Sequence, residues 1–512
     1  MASDGTAANR PLDIEPESYL LSRWLYLRLL GLVHLSAFAS YATQIIGLNG
    51  SVGILPAAEM LQQVFAQVGP ESYWVCPTIF WFNCSDAFLQ AVTYAGTLLS
   101  FFVILGVVTG PALLALAVLW LSLVTVGGEF TGFQSDGMLV EATVLSLFFV
   151  PWQWFEPPWP VPLSLRRQRP PAKASIWLLR FMLFRIMFAS GLVKILSGDP
   201  TWRDLTALTY HYETQPIPTP LAWYAHQLPV WMQKLSVLGM YLSEVISPLL
   251  IFVGGPFRIF AAAMMALLQS LIALTGNYTF LSFLMIVLCV PLLDDRLLKG
   301  LFPPKLVKAL YDSQILEPVS RWRRYALNFA VSFLIAIAAS RSLMTVLGKG
   351  AVPPFMRAIV FMLSPFRIVD SYGLFAVMTV TRPEIVFEGS EDGQVWKAYQ
   401  FRNKPDDDLK RPPPWVQPHM PRLDWRLWFA AMEPVEANPW VLAFAQRLLE
   451  GSQCVDEFLL VNPFKDRPPK YIRAFVYDYH FTDTTTRSTT GSWWRRENKR
   501  VYLPPVSLQA DR

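Results

Sequence analysis

Long apolar runs dominate this sequence and constrain its fold more than any other feature. Nine of them approach the roughly 20 residues that a helix needs to cross a bilayer. They cover residues 25–47, 88–109, 111–128, 137–154, 175–196, 231–254, 256–274, 277–293 and 325–346. Only 16% of the residues are charged, against about a quarter in soluble proteins. The sequence therefore predicts an α-helical polytopic membrane bundle of about nine spans.

The distribution of Lys and Arg between the loops predicts an orientation. Positive residues concentrate in the N-terminal segment and in residues 155–174 and 294–324. The alternate loops, residues 48–87, 129–136 and 197–230, contain only Arg203. Because cytoplasmic loops carry the excess of positive charge, we expect a cytoplasmic N-terminus. The polar segment 1–24 does not resemble a cleavable signal peptide, so we expect the first apolar run to remain as a membrane anchor. The predicted bundle covers residues 25–346.

Beyond the last span the composition changes to that of a folded domain outside the membrane. The stretches TVTRPEIVFEG, QVWKAYQFRN and YIRAFVYDYHF are typical of strands, with a turn at Ser390–Gly393. Residues 423–432 and 440–449 are expected to be helical, and residues 483–493 a Thr/Ser-rich loop. We predict an outer, α+β or β-sandwich-like C-terminal domain over 373–512. Residues 347–372 would link it along the membrane surface.

A polar, aromatic stretch between two apolar runs is the first place to look for function. We call residues 197–230, which contain WRDLTALTYHYETQPIPTPLAWYAH, the motif segment. Prolines at 216, 218 and 220 predict an extended, stiff conformation. The candidate residues are Trp202, Arg203, Asp204, Tyr210, His211, Tyr212, Glu213, Gln215, Trp223 and Tyr224. Three roles stay open: a rigid lid over the bundle held by the Arg203–Asp204 region and the prolines, a protein-binding surface, or catalysis.

Four charged residues fall inside predicted spans, where an unpaired charge is costly. From the helical rise alone, Arg185 and Glu244 lie at similar depth, as do Lys194 and Glu141. We therefore predict the ion pairs Arg185–Glu244 and Lys194–Glu141. These pairs would either fix helix packing or form a buried polar site for a substrate. Nearby, Asp136 and Gln134 would cap a helix or face the motif segment, and capping is the preferred interpretation.

The remaining chemistry-bearing residues are few. Cys76 and Cys84 share an outer loop and would form a disulfide in an oxidising compartment, or remain two free thiols. The five histidines have no metal-ligand spacing, so we expect no metal site. There is no G-x-S-x-G elbow, no phosphate-binding loop and no basic patch for nucleic acid. We expect no cofactor and assign no catalytic residue.

Several motifs in order along the chain resemble those of the lipase maturation factor family. They are IIGLNGSVGILPA, FQSD–LVE, WRDLT with HYETQP, GNYTF–LLDD, SYGLFAVMT, RPEIVFEGS and RLDWRLWFAAM. The resemblance covers nearly the whole chain. It departs at Thr201, Ala207 and Asn403, where animal members of the family carry cysteines.

The resemblance implies a multi-pass membrane protein that assists the folding, assembly and secretion of a lipase client, in a non-catalytic, chaperone-type role. Its membrane would be the endoplasmic reticulum in a eukaryote or the inner membrane in a bacterium. The C-terminal domain would then be lumenal or outer. The alternative is a membrane-embedded enzyme acting on a lipid or quinone-like substrate, distantly similar to vitamin K-dependent carboxylases. His211, Lys194 and Glu244 would then line a cavity on its lipid side.

Overall fold

A computed structural model describes residues 18–159, 162–315, 317 and 319–508. Most of the predicted N-terminal segment 1–24 therefore lies outside the described residues. The first part of the bundle consists of three long helices and several short ones. They are α1 (Leu20–Ala42), α2 (Ile45–Asn49), α3 (Ala57–Val68), α4 (Ser72–Val75), α5 (Asp86–Leu105), α6 (Thr109–Val126) and α7 (Gln134–Ser146).

Local signals in the sequence fix the ends of the long helices. Helix α5 begins after Ser85, whose hydroxyl accepts a hydrogen bond from the N–H of Phe88. It ends before Gly106, which adopts the left-handed conformation at φ +74°. A serine before the first turn and a left-handed glycine after the last turn satisfy the backbone groups that a helix leaves free. The enclosed 20 residues are long enough to cross a bilayer.

The second part of the bundle contains the motif segment between two long helices. Its elements are α8 (Leu163–Arg166), α9 (Lys173–Leu196), α10 (Pro200–Arg203), α11 (Ala207–Thr214), α12 (Pro220–His226), α13 (Val230–Tyr241), a π-helical segment (Leu242–Ile246), α14 (Ser247–Leu250), α15 (Gly255–Thr275) and α16 (Phe280–Cys289). After it come α17 (Asp295–Leu298), α18 (Pro304–Asp312), α19 (Arg321–Leu347) and the linker helix α20 (Pro354–Leu363).

Six of the described helices are long and apolar enough to cross a membrane, so the predicted count of nine is not confirmed. They are α1, α5, α6, α9, α15 and α19. Helix α7 has 13 residues, or about 20 Å at 1.5 Å per residue, which is short of a ~30 Å hydrocarbon core. The run 231–254 forms α13, the π segment and α14 in unbroken succession, and none of the three alone is long enough to cross a bilayer. Hydropathy counts apolar residues and does not detect where the helix geometry changes.

The described part of the C-terminal domain is α+β. Its strands are β1 (Pro383–Ser390), β2 (Lys397–Ala398), β3 (Gln400–Phe401), β4 (Leu459–Val461), β5 (Tyr471–Phe481) and β6 (Trp494–Val506). Its helices are α21 (Arg422–Ala431), α22 (Pro439–Glu450), α23 (Gln453–Asp456) and α24 (Thr484–Thr490). Antiparallel pairing gives a sheet in the order β2-β1-β5-β6, and β3 pairs with β4. The strand predicted at YIRAFVYDYHF is confirmed as β5, whereas the loop predicted at 483–493 contains α24.

One continuous apolar core joins the bundle to the C-terminal domain. It includes Phe38 and Trp120 from the bundle together with Phe387 and Phe444 from the domain. At one contact, a Cβ added to Gly47 would lie 2.4 Å from the carbonyl oxygen of Cys454, so only glycine permits this approach. The C-terminal domain therefore packs directly on the bundle.

Of the two alternatives for the first outer loop, a disulfide or two free thiols, the structure has the second. Cys76 and Cys84 are free thiols, as are the other two cysteines. A 3-10 turn, Ile79–Trp81, lies between them, and the indole of Trp81 donates a hydrogen bond to the carbonyl oxygen of Cys76 (2.9 Å). Burial raises the pKa of both thiols, which favours the protonated form over the reactive thiolate.

Candidate functional site

The motif segment, predicted to be a rigid loop, is mostly helical. The stretch 215–219, between α11 and α12, is not helical, and Gln215 and Thr219 in it are extended, as the prolines predict. Pro200 and Pro220 each occupy the first position of a short helix. The N–H that proline lacks would have no partner within the helix at this position, so its absence costs no hydrogen bond. Pro220 thus begins α12, and Pro216 and Pro218 keep the preceding stretch out of a helix.

The largest aromatic side chains of the motif segment are buried rather than exposed. Trp202 is 4% exposed, and its indole donates a hydrogen bond to the carbonyl oxygen of Phe375 (3.0 Å). Trp223 is 3% exposed and contacts the ring of Trp493. Tyr210 and Tyr224 remain exposed. Both tryptophans of the predicted aromatic surface therefore belong to the protein's interior.

Arg382, the residue directly before β1, links the C-terminal domain to the motif segment. Its guanidinium is fully buried. It donates to the carbonyl oxygens of Glu213 (2.7 Å), Gln215 and Pro216 (2.9 Å), and it pairs with the carboxylate of Glu384 (2.7 Å). These carbonyl oxygens, at the end of α11 and directly after it, match the fork of donors that only arginine offers.

Glu213 makes a second link to the same domain. One carboxylate oxygen accepts a hydrogen bond from the N–H of Phe481 (2.9 Å), and the other lies 3.2 Å from Nδ1 of His480. Nε2 of His226 is 3.7 Å away. Burial lowers the pKa of His226, and the charge of Glu213 opposes that shift. Glu213 thus links strand β5 to the motif segment.

Asn277, in the turn between α15 and α16, forms hydrogen bonds with the stretch 215–219 of the motif segment. It is 1% exposed. Its amide nitrogen donates to the carbonyl oxygens of Ile217 (3.2 Å) and Pro414 (2.9 Å), and its amide oxygen accepts from the N–H of Val416 (2.8 Å). One side chain therefore connects the bundle, the motif segment and the C-terminal domain.

Asp136 also binds the C-terminal domain, so the prediction that it caps a helix is wrong. Its carboxylate forms two hydrogen bonds, of 2.8 and 2.9 Å, with the guanidinium of Arg422. That guanidinium lies over the ring of Tyr41 at 4.7 Å. The residue before α7 is Phe133, and no side chain caps this helix. Gln134 accepts a hydrogen bond from the N–H of Gly373 (3.4 Å) instead.

The four buried charges are paired, but the predicted partners are exchanged. Arg185 pairs with Glu141, and Lys194 pairs with Glu244 at 2.7 Å. Glu141 also accepts hydrogen bonds from the N–H of Asp370 (3.1 Å) and the hydroxyl of Tyr372. The prediction used depth alone, and depth does not show which helix faces which. Lys194 lies two residues before the end of α9, whereas Glu244 lies fourteen residues beyond the start of α13, in the π segment that continues it. The end of α9 and the start of α13 are therefore at different depths.

A cavity of about 320 Å³ lies between the motif segment and the bundle. Lys194 and Glu244 border it from the bundle, and His211 borders it from the motif segment. These are the three residues that the alternative interpretation of the sequence placed around one cavity. Glu244 belongs to the π-helical segment, and such segments often occur at functional sites. At Gly191 an added Cβ would lie 2.6 Å from Val245, so glycine permits α9 to approach this segment.

His211 faces the cavity as a neutral side chain. Its Nε2 lies 3.3 Å from the hydroxyl of Tyr278, and the two rings are stacked. Burial, with a smaller effect from the charge of Lys194, lowers the pKa of His211 to about 4. The same burial raises the pKa of Tyr278. Both groups therefore offer hydrogen bonds at neutral pH without adding charge.

Sequence reasoning missed Arg382, Arg422 and Asn277 as the residues that hold the molecule together. A signal was present for two of them. Arg382 and Arg422 each start an otherwise apolar stretch, RPEIVF and RLDWRLW, where a charge needs a buried partner. By contrast Arg203 and Asp204, predicted to hold the lid, form an exposed pair, with side chains 73% and 55% accessible.

Comparison with known proteins covers both halves of the chain. Residues 21–300 match the family described as Lipase maturation factor transmembrane domain, and residues 368–504 match Lipase maturation factor C-terminal domain. Lipase maturation factor 2 of Gallus gallus is 34% identical, over 95% of this chain and 81% of its own length. Lipase maturation factor 1 of Bos taurus is 32% identical, over 98% of this chain and 91% of its own. No solved structure matches. The structure brings together the motifs FQSD, HYETQP, GNYT, RPEIVFE and RLDW where the two domains meet. The chain is thus a membrane protein and belongs to the lipase maturation factor family.

Proposed function

We propose that this protein assists the folding and assembly of a secreted lipase at the outer face of its membrane, without catalysing a reaction itself. The observation that carries the proposal is the likeness to lipase maturation factors in both domains and over nearly the whole chain. The membrane would be the endoplasmic reticulum in a eukaryotic host and the inner membrane in a bacterial one. The N-terminus would be cytoplasmic.

The structure narrows the surface on which such a client would bind. Trp202 and Trp223 are occupied within the protein, and Tyr212 packs with the cluster around Trp223. Tyr210 and Tyr224 are exposed, at 37% and 52%. Tyrosine side chains often dominate protein interfaces because they offer a large rigid surface with a polar end. The client contacts would therefore centre on these two tyrosines and the adjacent Arg203–Asp204 pair.

A site-specific crosslink tests this proposal. A photo-crosslinking amino acid would replace Tyr224, and in a second variant Tyr210, in the full-length protein in its native membrane beside a co-expressed secreted lipase. We expect a lipase adduct from both positions. Trp322 is the matched control, because it is an aromatic residue 79% exposed at the start of α19, on the side predicted to be cytoplasmic. Equal lipase adducts from Trp322 and Tyr224, or none from either tyrosine while secretion still depends on the protein, would contradict the proposal.

The second candidate function is that of a membrane-embedded enzyme acting on a lipid or quinone-like substrate. The observation favouring it is the cavity that Lys194, His211 and Glu244 share. A pair of titratable groups in a mostly apolar pocket is a common arrangement for proton transfer. Incubation of the purified protein with membrane lipids, followed by mass spectrometry, tests it. A product that forms with the native protein and not with His211→Gln supports the enzyme, and an unchanged lipid profile counts against it.

A further inference from the structure

The cavity beneath the motif segment holds more hydrogen-bonding capacity than the surrounding protein uses. Ser190 on α9 and Ser282 on α16 both border it and are 3% and 0% exposed. Neither hydroxyl has a hydrogen-bond partner among the described residues. Buried hydroxyl groups are nearly always satisfied, because an unmade hydrogen bond costs stability. Two of them on the wall of one cavity indicate a missing partner inside it.

Lys194 lies beside these hydroxyls and has donor capacity of its own. Its ammonium donates to the carbonyl oxygen of Ser190 (3.1 Å) and to Glu244 (2.7 Å), and it lies over the ring of Trp202. An ammonium has three N–H bonds, and these oxygens accept two of them. A polar end is therefore present, with donors from lysine and donors or acceptors from two serines.

Much of the remaining cavity wall is apolar. Ile186, Met187, Met240, Leu268 and Ile272 line it, which suits a hydrocarbon chain. Methionine side chains adapt to irregular apolar ligands. The volume of about 320 Å³ is at the lower end of the range for ligand pockets, roughly 300–1,000 Å³. A space of this size leaves no room for two acyl chains.

The charges around the cavity select an uncharged head group. Lys194 and Glu244 neutralise each other at 2.7 Å, and His211 is neutral because burial lowers its pKa to about 4. A carboxylate or phosphate placed here would be an additional buried charge without its own counter-ion, which is strongly unfavourable. A head that both donates and accepts hydrogen bonds matches the serines and the lysine.

The mouth of the cavity faces the surface of the bundle. Leu271 of α15 and Leu228 border the cavity and are 51% and 37% exposed. Helix α15 is long and apolar enough to cross a membrane, and only 28% of its apolar window is buried within the protein. A ligand entering beside Leu271 would therefore come from the hydrocarbon region, so it is soluble in lipid.

We propose that this cavity binds a single-chain neutral lipid with a hydroxyl-bearing head, of which a monoacylglycerol is the simplest example. The acyl chain lies along Leu268 and Ile272, and the head group binds Ser190, Ser282 and Lys194. The proposal does not depend on the lipase-directed function, because it concerns a site that opens toward the membrane.

Photolabelling of the purified full-length protein tests this site. The probe is a monoacylglycerol with a diazirine in its acyl chain, and labelled peptides are identified by mass spectrometry. We expect saturable labelling within residues 264–285, which unlabelled monoacylglycerol displaces at lower concentration than the fatty acid of equal chain length. Labelling that does not saturate, labelling confined to other surfaces of the bundle, or better competition by the fatty acid would overturn the proposal.

A pair of serine variants shows whether the unpartnered hydroxyls serve the ligand. Ser190→Ala and Ser282→Ala should each raise the half-saturating probe concentration about fivefold, because one hydrogen bond to the ligand is lost. Neither should lower the unfolding midpoint, because no described residue bonds to these hydroxyls. Ser247→Ala is the matched control: Ser247 is 0% exposed with an equally unpartnered hydroxyl, but it does not border the cavity. Equal half-saturation in all three variants would overturn the assignment of the head group.

Discussion

The motif segment and the first outer loop, residues 48–87, are both rich in aromatic residues, and both are predicted to lie on the outer side of the membrane. Several of their aromatic side chains have opposite surroundings. Trp202 and Trp223 of the motif segment are 4% and 3% exposed, whereas Phe82 and Tyr73 of the loop are 90% and 56% exposed. Aromatic content alone therefore does not distinguish an exposed surface from an interior.

The polar groups of the two regions explain the difference. In the motif segment, Glu213 and the carbonyl oxygens of residues 213–216 bind the C-terminal domain through Arg382 and Phe481. In the first outer loop, that domain reaches only the margin, where Arg447 donates to the carbonyl oxygen of Gly53 (2.8 Å). The C-terminal domain covers the motif segment because buried polar partners attach it there.

The largest expected effect comes from removing the buried guanidinium. Arg382→Met leaves the carbonyl oxygens of Glu213 and Pro216 without donors and Glu384 without its arginine, so we expect a loss of about 3–5 kcal/mol in the free energy of unfolding. The unfolding midpoint in detergent measures it. Arg495→Met is the control, because the Arg495 side chain is 58% accessible. Similar midpoints for the two variants would show that the arginine does not hold the segment.

Truncation of one aromatic residue in each region compares them directly. Trp223→Ala should cost about 3–5 kcal/mol, since a large buried side chain is removed and a cavity is left. Phe82→Ala should change stability by less than about 0.5 kcal/mol, because its ring is 90% exposed. Thermal unfolding of both variants in the same detergent is the measurement. A destabilised Phe82→Ala protein would mean that the loop is covered by something other than the described residues.

The response to pH should also separate the regions, since the five histidines include His211 and none in residues 48–87. Burial lowers the pKa of His211 to about 4, below the ~6.5 of an unfolded chain. Its contribution to stability is fully present above ~6.5 and is lost as the pH falls toward 4. Between pH 7 and 5.5 the native protein should lose about 1 kcal/mol more than His211→Gln. Parallel midpoint-versus-pH curves for the two proteins would contradict the assigned protonation state.

The smallest effect on stability is expected at the exposed pair. Arg203→Ala should leave the unfolding midpoint unchanged, because the Arg203–Asp204 ion pair is screened by solvent. If the motif segment presents its exposed residues to a client, secretion of active lipase should fall about twofold. Secretion assays with Arg203→Ala and Phe82→Ala therefore rank the two regions as client contacts. A loss with Phe82→Ala alone would assign the contact to the first outer loop.

Sequence patterns predicted elements whose cause is local. The alternation in YIRAFVYDYHF gave the strand at its observed bounds, and Ser390 and Gly393 gave the turn after β1. The same patterns placed helices within a residue or two of α21 and α22. In each case neighbouring residues alone determine the structure.

Features that depend on distant partners could not be predicted in the same way. The partner of Arg185 depends on which helix faces α9, and helical rise along one chain carries no information about that. The burial of Trp202 depends on Phe375, which lies 173 residues later. The alternative hypothesis placed Lys194, His211 and Glu244 around one cavity because the sequence pattern resembles another protein family, and not because of the spacing of these residues.

Synthesis of the chain proceeds from the N-terminus, and this gives the arginine contact a timing. Arg382 follows Glu213 by 169 residues. At ~5–20 residues per second, ribosomes need roughly 10–30 s to add them. Throughout that interval the nascent motif segment exists without the strand that closes it. A chaperone or membrane insertase acting on this protein would therefore meet the segment open, with the carbonyl groups of HYETQP still hydrated.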